Sequence, residues 1–525
     1  MKINYKRLVS AVLSATVIAS SVPVFAASAD KAVTITVGQS GDCDYKTIQE
    51  AVDSIKSTPT EKNRATIRIN PGTYNEEVNV NIPYVSFVNT SKKEDVIITY
   101  DKANGHSDQS KNFGTDKTAT VIIGADATGF KAENITFVNS YNIDEPDSDV
   151  RKQVQAVALE TMADKVVLDS CKMIGRQDTL YIKGASKGQN VAGEANSARV
   201  YLKNCYIEGT VDYIFGDATA YFDKCDLHMA YYKGGGHFTA PNTTLYNIGY
   251  VFNECKLTVD KAYTAEDAEN IDLGRPWQCD GAYPNYGSNS VFINCTMPDI
   301  LKSEGFSLWD EDTVVNKVRF MEYGSKYSNG RAMDLSSRAD FVKVLTQEQA
   351  EGYNVYNVLK GNDNWNPAES NRNGGEVTCD VTLGSYETSI PKGETFQLKS
   401  YTLPLENEGK VEYKSSDESI ATVNENGEIT AVKVISVTDE RGLESKSNVT
   451  VTAARTEKPV VKAISITNES NLVVGQKLIA SYSYELNSDN DIDAAKIRWY
   501  AVKNGNKYVI KEGVGEYYTV NTGTL

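Results

Sequence analysis

Apolar and polar positions along this chain repeat in short blocks rather than in long helical stripes. Five times a large apolar residue is followed by two mostly polar positions, a cysteine, any residue and a second apolar residue. The blocks are Leu168–Met173, Leu202–Ile207, Phe222–Leu227, Phe252–Leu257 and Phe292–Met297, with a cysteine-free version around Asn134 to Phe137. Each is too short for a helix, and its second half alternates as a strand does. The cysteines at 171, 205, 225, 255 and 295 advance by 34, 20, 30 and 40 residues, as a coil of about 20 residues carrying loops of variable length would. The pattern predicts an all-β fold, a parallel β-helix in which equivalent positions stack from coil to coil.

The first coil of such a helix needs a lid. After the strand Val33–Val37, the segment Tyr45–Ser57 sets Ile48, Val52 and Ile55 on one helical face and is read as that lid, since bare strand edges invite aggregation. Strand character resumes at Ala65, with Ile67 and Ile69, before the turn Pro71-Gly72. The polar stretch 364–376, with Asn366-Pro367 and Gly374-Gly375, marks a boundary. Beyond it, 377–454 alternates like a β-sandwich with the turn Asn426-Gly427. A tyrosine-rich second sandwich, 460–525, includes Tyr482, Tyr484, Trp499 and Tyr500 and reads as incomplete, stopping without an obvious closing strand. The expected layout is a leader at 1–29, a β-helix domain at 30–367, a linker at 368–376, and the two sandwich modules.

The leader rests on Lys2, Lys6 and Arg7, the apolar run Leu8–Ile18, and the small residues Ala26, Ala27 and Ala29, the pattern of an export signal. The run is shorter than the roughly 20 apolar residues of a membrane span, so a secreted protein without a membrane span is expected. A length of 525 residues fits several domains, and a net charge of -16 argues against nucleic acid as a partner. The cysteines read as inward-facing small hydrophobes. No CxxC pair exists and the only histidines are His106, His228 and His237, so neither a metal nor another cofactor is expected.

Three hydrolase chemistries are open to such a chain. Gly184-Ala185-Ser186-Lys187-Gly188 matches a GxSxG elbow, but polar loop residues follow it where a helix is required. Carboxylates fit better. Asp178 lies seven residues after Cys171, and Asp212 seven after Cys205. Equal offsets stack the two aspartates on neighbouring coils, about 4.8 Å apart. Two carboxyls so close do not ionise equally, which yields one base or nucleophile and one proton donor. A solvated ladder of turn aspartates would have the same spacing.

Five further segments decide between these readings. Gly72-Thr73-Tyr74-Asn75-Glu76, Gln155-Ala156-Val157-Ala158-Leu159, Gln177-Asp178-Thr179-Leu180, Asp212-Tyr213-Ile214-Phe215-Gly216 and Leu273-Gly274-Arg275-Pro276-Trp277 occur in this order. With them, the chain from about Val33 to Pro367 resembles the bacterial pectin methylesterases. The resemblance implies a right-handed parallel β-helix and a substrate of methyl-esterified pectin. Asp212 would be the nucleophile, Asp178 the acid and later base, Gln177 the oxyanion donor, and Arg275 the partner of Asp212. Gln155, Trp277, Thr115 and Phe215 would contact substrate, while Gly72, Tyr74 and Glu76 would be structural. The tail resembles bacterial Ig-like modules, the first of group 2 type through Ser415-Ser416-Asp417 and Ala421-Thr422-Val423, with cell-wall or glycan contact implied by analogy.

The resemblance also supports one disulfide, Cys205 to Cys225, although stacked free thiols would fit a core equally well. Where related bacterial enzymes carry basic residues after the nucleophile coil, this chain reads Ala230-Tyr231-Tyr232-Lys233-Gly234-Gly235-Gly236-His237. The rival functions are a pectate lyase or polygalacturonase on the same fold, and a non-catalytic surface adhesin. A lyase would need clustered calcium-binding acids and a polygalacturonase a different aspartate cluster, and neither pattern occurs.

Overall fold

The structure is a computed structural model. It describes residues 32–104, 114–141, 143, 154–184, 198–278, 285–369, 377–391, 394–407, 409–416, 418, 422–430, 434–452, 460–467, 477–485, 497–503, 506–513 and 517–519. The expected leader and Ser186 of the elbow-like motif lie outside the described residues. Among the described residues, no helix is long and apolar enough to cross a membrane.

The repeating blocks wind into a right-handed parallel β-helix of three stacked sheets, with 11, 9 and 6 strands. One coil shows the plan. Val166–Asp169 lies in the first sheet, Lys172–Ile174 in the second and Leu180–Ile182 in the third, before Arg199–Lys203 opens the next coil. The corner between the first two sheets explains the sequence pattern. Ser170, Asn204, Lys224, Glu254 and Asn294, each just before a cysteine, have φ between 52° and 55°, so the chain turns sharply there and the cysteine enters the core. Left-handed backbone costs a non-glycine residue roughly 1–2 kcal/mol, which the stacked ladder around each corner must offset.

Inward positions stack in register. Leu168, Leu202, Phe222, Phe252 and Phe292 form one ladder, with the last three rings stacked at 4.3 and 4.5 Å. The next rung after Phe292 is Glu322, fully buried and paired with Arg338 at 2.6 Å. The cysteines form a second ladder and are buried. Here one expectation is corrected. Cys205 and Cys225 are not bridged; both are free. The Cys205 thiol donates to the Leu168 carbonyl at 3.4 Å and the Cys225 thiol to that of Leu202 at 3.6 Å. Each thiol hydrogen-bonds the backbone of the coil before it, as a free S–H does.

The lid helix is shorter than its pattern predicts, Ile48–Asp53, with Thr47 as N-cap and Ile48, Ala51 and Val52 buried. Glu76 accepts hydrogen bonds from the amides of Ile48 and Gln49 at 2.8 and 3.0 Å, a carboxylate at a helix N-terminus. The structural role expected of Glu76 is this anchor.

The other flank of the β-helix is covered. Outward residues of the first sheet, including Tyr201, Tyr221, Val251, Val291 and Met321, share one apolar cluster with the helices Gln347–Glu351 and Val355–Leu359 and with Val381, Leu403 and Val437 of the first sandwich module. Arg319 of the β-helix pairs with Asp380 of the module at 3.1 Å, both buried. The sequence separates the two units by a polar linker, whereas the structure joins them through a common core. The strands of 460–519 pair antiparallel.

Candidate active site

The third sheet carries the site, and strand geometry explains its two faces. In Leu180–Ile182 and Ile214–Gly216, Leu180, Ile182 and Ile214 point into the core. Alternation therefore turns Tyr181 and Phe215 outward. Their register pairs Leu180 with Ile214 and Tyr181 with Phe215. Two residues before this pairing, at the corner from the second sheet, stand Asp178 and Asp212. Both adopt left-handed backbone, φ 63° and 52°, a conformation that aspartate tolerates better than most residues. The amide of Asp178 donates to the Val211 carbonyl at 3.1 Å, which locks the two corners together. The equal offsets in sequence become equal places on adjacent coils.

Asp178 and Asp212 are both buried, at 7% and 5% exposure, yet their surroundings differ. Arg275 donates from Nε to Asp212 Oδ1 at 2.9 Å and from Nη2 to Oδ2 at 2.6 Å, a bidentate fork on an acceptor. Burial works against the charge on Arg275, but the hydrogen bonds and charge of Asp212 outweigh it and its pKa is raised. Asp178 goes the other way from an ordinary carboxyl. Burial, reinforced by the neighbouring Asp212 charge and only partly opposed by Arg275, pushes its pKa well up. The pair thus offers one carboxyl that holds its proton beside one gripped by a guanidinium.

The outer face beside the aspartates is aromatic. Tyr181 and Phe215 stack at 4.1 Å, Phe215 and Trp277 lie 6.2 Å apart, and Trp277 and Trp309 6.3 Å. Arg275 lies over the Trp309 ring at 4.2 Å. Tyr181 and Phe215 are themselves buried, at 2% and 3% exposure, so the partly exposed Trp277 and Trp309 are the rings left to meet a sugar face. Gln177 is half-buried next to Asp178, and its carbonyl accepts from Ala156 at 3.1 Å. Gln155, one coil earlier, accepts from the Asn104 side chain at 3.3 Å. Thr115 begins a short turn on the upstream flank, where Asp116 pairs with Lys183 at 3.0 Å and Lys183 with the buried Glu160 at 2.9 Å.

The structure therefore brings Asp178, Asp212, Arg275, Phe215 and Trp277 together, with Gln177 adjoining. Thr115 stands at the edge. Sequence reasoning missed Tyr181, Trp309 and Lys183. Tyr181 was findable, since it follows Asp178 by three residues as Phe215 follows Asp212. Trp309 carries no such signal, because it arrives on a later loop.

Both the sequence and the fold have known relatives. The model of the Pectinesterase family matches residues 34–362, and that of the bacterial Ig-like domain (group 2) matches 377–464. The probable pectinesterase/pectinesterase inhibitor 64 of Arabidopsis thaliana is 31% identical over 356 residues, 63% of this chain and 51% of its own. The chain thus spans about half of that relative's length. Pectinesterase QRT1 of the same plant is 32% identical over 338 residues, 63% of this chain and 78% of its own. Among solved structures, a pectin methylesterase mutant in complex with a hexasaccharide superposes with a TM-score of 0.52 at 27% identity, covering 65% of this chain and 100% of that one. The pectin methylesterase of Erwinia chrysanthemi gives 0.51 at 25% identity, covering 65% and 99%. The curated relatives include plant and fungal pectinesterases, and the solved structures include a bacterial one.

Proposed function

The chain belongs to the pectinesterase family, and we propose that it hydrolyses the methyl esters of galacturonate residues in pectin, releasing methanol. The observation that carries the reading is the asymmetry of the aspartate pair, with Asp212 held by Arg275 and the pKa of Asp178 pushed up by burial beside it. In the first step a carboxylate oxygen of Asp212 attacks the C6 carbonyl carbon of the ester. The carbonyl electrons move to oxygen, and the side-chain amide of Gln177 donates to the oxyanion. Collapse breaks the bond from C6 to the methoxy oxygen, and methanol leaves with the proton of Asp178. An anhydride now links Asp212 to the sugar. Asp178, ionised, takes one proton from water as the water attacks the acyl carbon; the anhydride bond breaks, Asp212 leaves as carboxylate, and the galacturonic acid formed gives its remaining proton to solvent. Arg275 aims the nucleophile throughout, while Trp277 bears a sugar ring with Phe215 and Tyr181 packed against it, and Gln155 and Thr115 lie beside them.

Export by the leader at 1–29 and contact of the C-terminal modules with cell-wall glycans complete the proposal. Methanol release from highly methylated pectin tests the reaction. Release without new reducing ends supports an esterase. New chain ends or unsaturated products would instead indicate a polygalacturonase or a lyase, and no turnover at all would leave only an adhesin.

A further inference from the structure

The outward row of the third sheet is apolar except at one position. In register it reads Ile122, Glu160, Tyr181, Phe215 and Ala240, and all but Glu160 belong to one apolar cluster with Trp277 and Trp309. Glu160 is 1% exposed. A carboxylate buried in such a row must be paired. The partner is Lys183, two residues after Tyr181 and so on the same face of the sheet. Its Nζ lies 2.9 Å from Glu160 Oε1 and 5.0 Å from the centre of the Tyr181 ring.

Lys183 has a second acidic partner. Asp116, in the turn Thr115–Lys117, places its Oδ2 3.0 Å from the same Nζ. Burial disfavours the charge on Lys183, but the two carboxylates outweigh it and its pKa is raised. The base of the turn is fastened separately. The fully buried Asn139 side-chain amide donates to the Thr118 carbonyl at 3.1 Å, and the Thr118 hydroxyl accepts from the Val157 amide at 3.1 Å. Thr118 thus fixes where the turn meets the sheet, and Asp116 on Lys183 fixes where its outer part comes to rest. A buried pair such as Lys183 with Glu160 adds little net stability, because both charges lose water. What it supplies is a cation fixed at one point beside the aromatic rings.

We infer that Lys183, with Glu160 as its buried counter-charge, is a positioning residue that holds the Thr115–Lys117 turn against the end of the aromatic row, where Thr115 meets the pectin chain. The inference rests on the esterase reading above. Three steps of register, Val121 to Leu159 to Leu180 to Ile214, separate the coil of the turn from the coil of Asp212, about 14 Å at ~4.8 Å per coil. The turn therefore meets a sugar away from the one being demethylated, and not the reacting carbonyl. Losing its position weakens the binding of long substrates and leaves the chemical step alone.

The test uses the whole chain and measures methanol release from fully methylated trigalacturonate and hexagalacturonate. The shorter substrate fills the coils around Asp212 without reaching the turn. Asp116→Ala leaves the buried pair intact, so the fold is kept. Its KM for the hexamer rises about three- to fivefold, the worth of one half-exposed ion pair, while its KM for the trimer and both kcat values stay at the wild-type level. Lys183→Met with Glu160→Gln removes the two buried charges together, keeps their volume, and gives the same pattern. Lys183→Arg, which still reaches both carboxylates, retains the wild-type KM. An Asp116→Ala protein with the wild-type KM for the hexamer, with KM raised equally for both substrates, or with its loss in kcat would overturn the inference while leaving the esterase intact. No methanol from either substrate with the wild-type protein would overturn the esterase reading and this inference with it.

Discussion

Arg275 reaches back across 63 residues of sequence to hold both carboxylate oxygens of Asp212, at 2.9 and 2.6 Å. The fork orients the attacking atoms and leaves Asp178, one coil away, to hold the proton. Asp212→Asn keeps the shape and removes the attacking charge, so methanol release falls by about 10⁴-fold or more. Arg275→Lys keeps a charge but loses the fork, and kcat falls about 10–10²-fold. Gln177→Ala falls between them, at about 10²–10³-fold. Full activity in Asp212→Asn would sink the two-aspartate mechanism.

Asp178 makes activity and stability oppose each other. Its folded pKa lies well above the ordinary 3.8 because burial and Asp212 disfavour its charge. Its favourable contribution to folding is therefore complete below the unfolded value and is lost as pH rises through the folded one. Asp178→Asn should lower kcat by about 10²–10⁴-fold and raise the Tm, with a gain that grows as pH rises from the acid range. A Tm difference that does not change with pH would contradict the burial assigned to this carboxyl.

The docked module should prove part of the folding unit. Asp380→Ala leaves Arg319 charged and buried without its partner, at a cost of about 3–5 kcal/mol, visible in urea unfolding followed by tryptophan fluorescence. Arg319→Met with Asp380→Leu should recover most of the loss. A chain ending at Pro367 lacks the module side of the same cluster and should unfold at lower urea than the full chain. Equal midpoints for the two would show that the interface contributes nothing.

The cysteine ladder should behave as free thiols. Burial pushes Cys171, Cys205, Cys225 and Cys255 well up from the ordinary thiol pKa, so alkylation of the native protein should be slow at all four. Unfolded without reductant, all four should label completely in a peptide mass map. A linked peptide holding Cys205 and Cys225 would restore the bridge.

The sequence alone determined the coils and the stacking of Asp178 on Asp212. Each coil builds its own strands and corner from adjacent residues, so on these two coils seven residues after the cysteine means the same place. It also carried the identity of Arg275 and Trp277, through a motif rather than through any visible contact. What only the tertiary structure decided depends on loops of unequal length. Their lengths set which later residue returns to the site, and nothing local in the chain encodes that return. Hence Trp309 under Arg275 and Asp380 against Arg319 were not legible, nor was the free state of the Cys205 and Cys225 thiols. Stacking of like on like is written residue by residue in a repeat, whereas contact between unlike segments is settled by how the whole chain closes on itself.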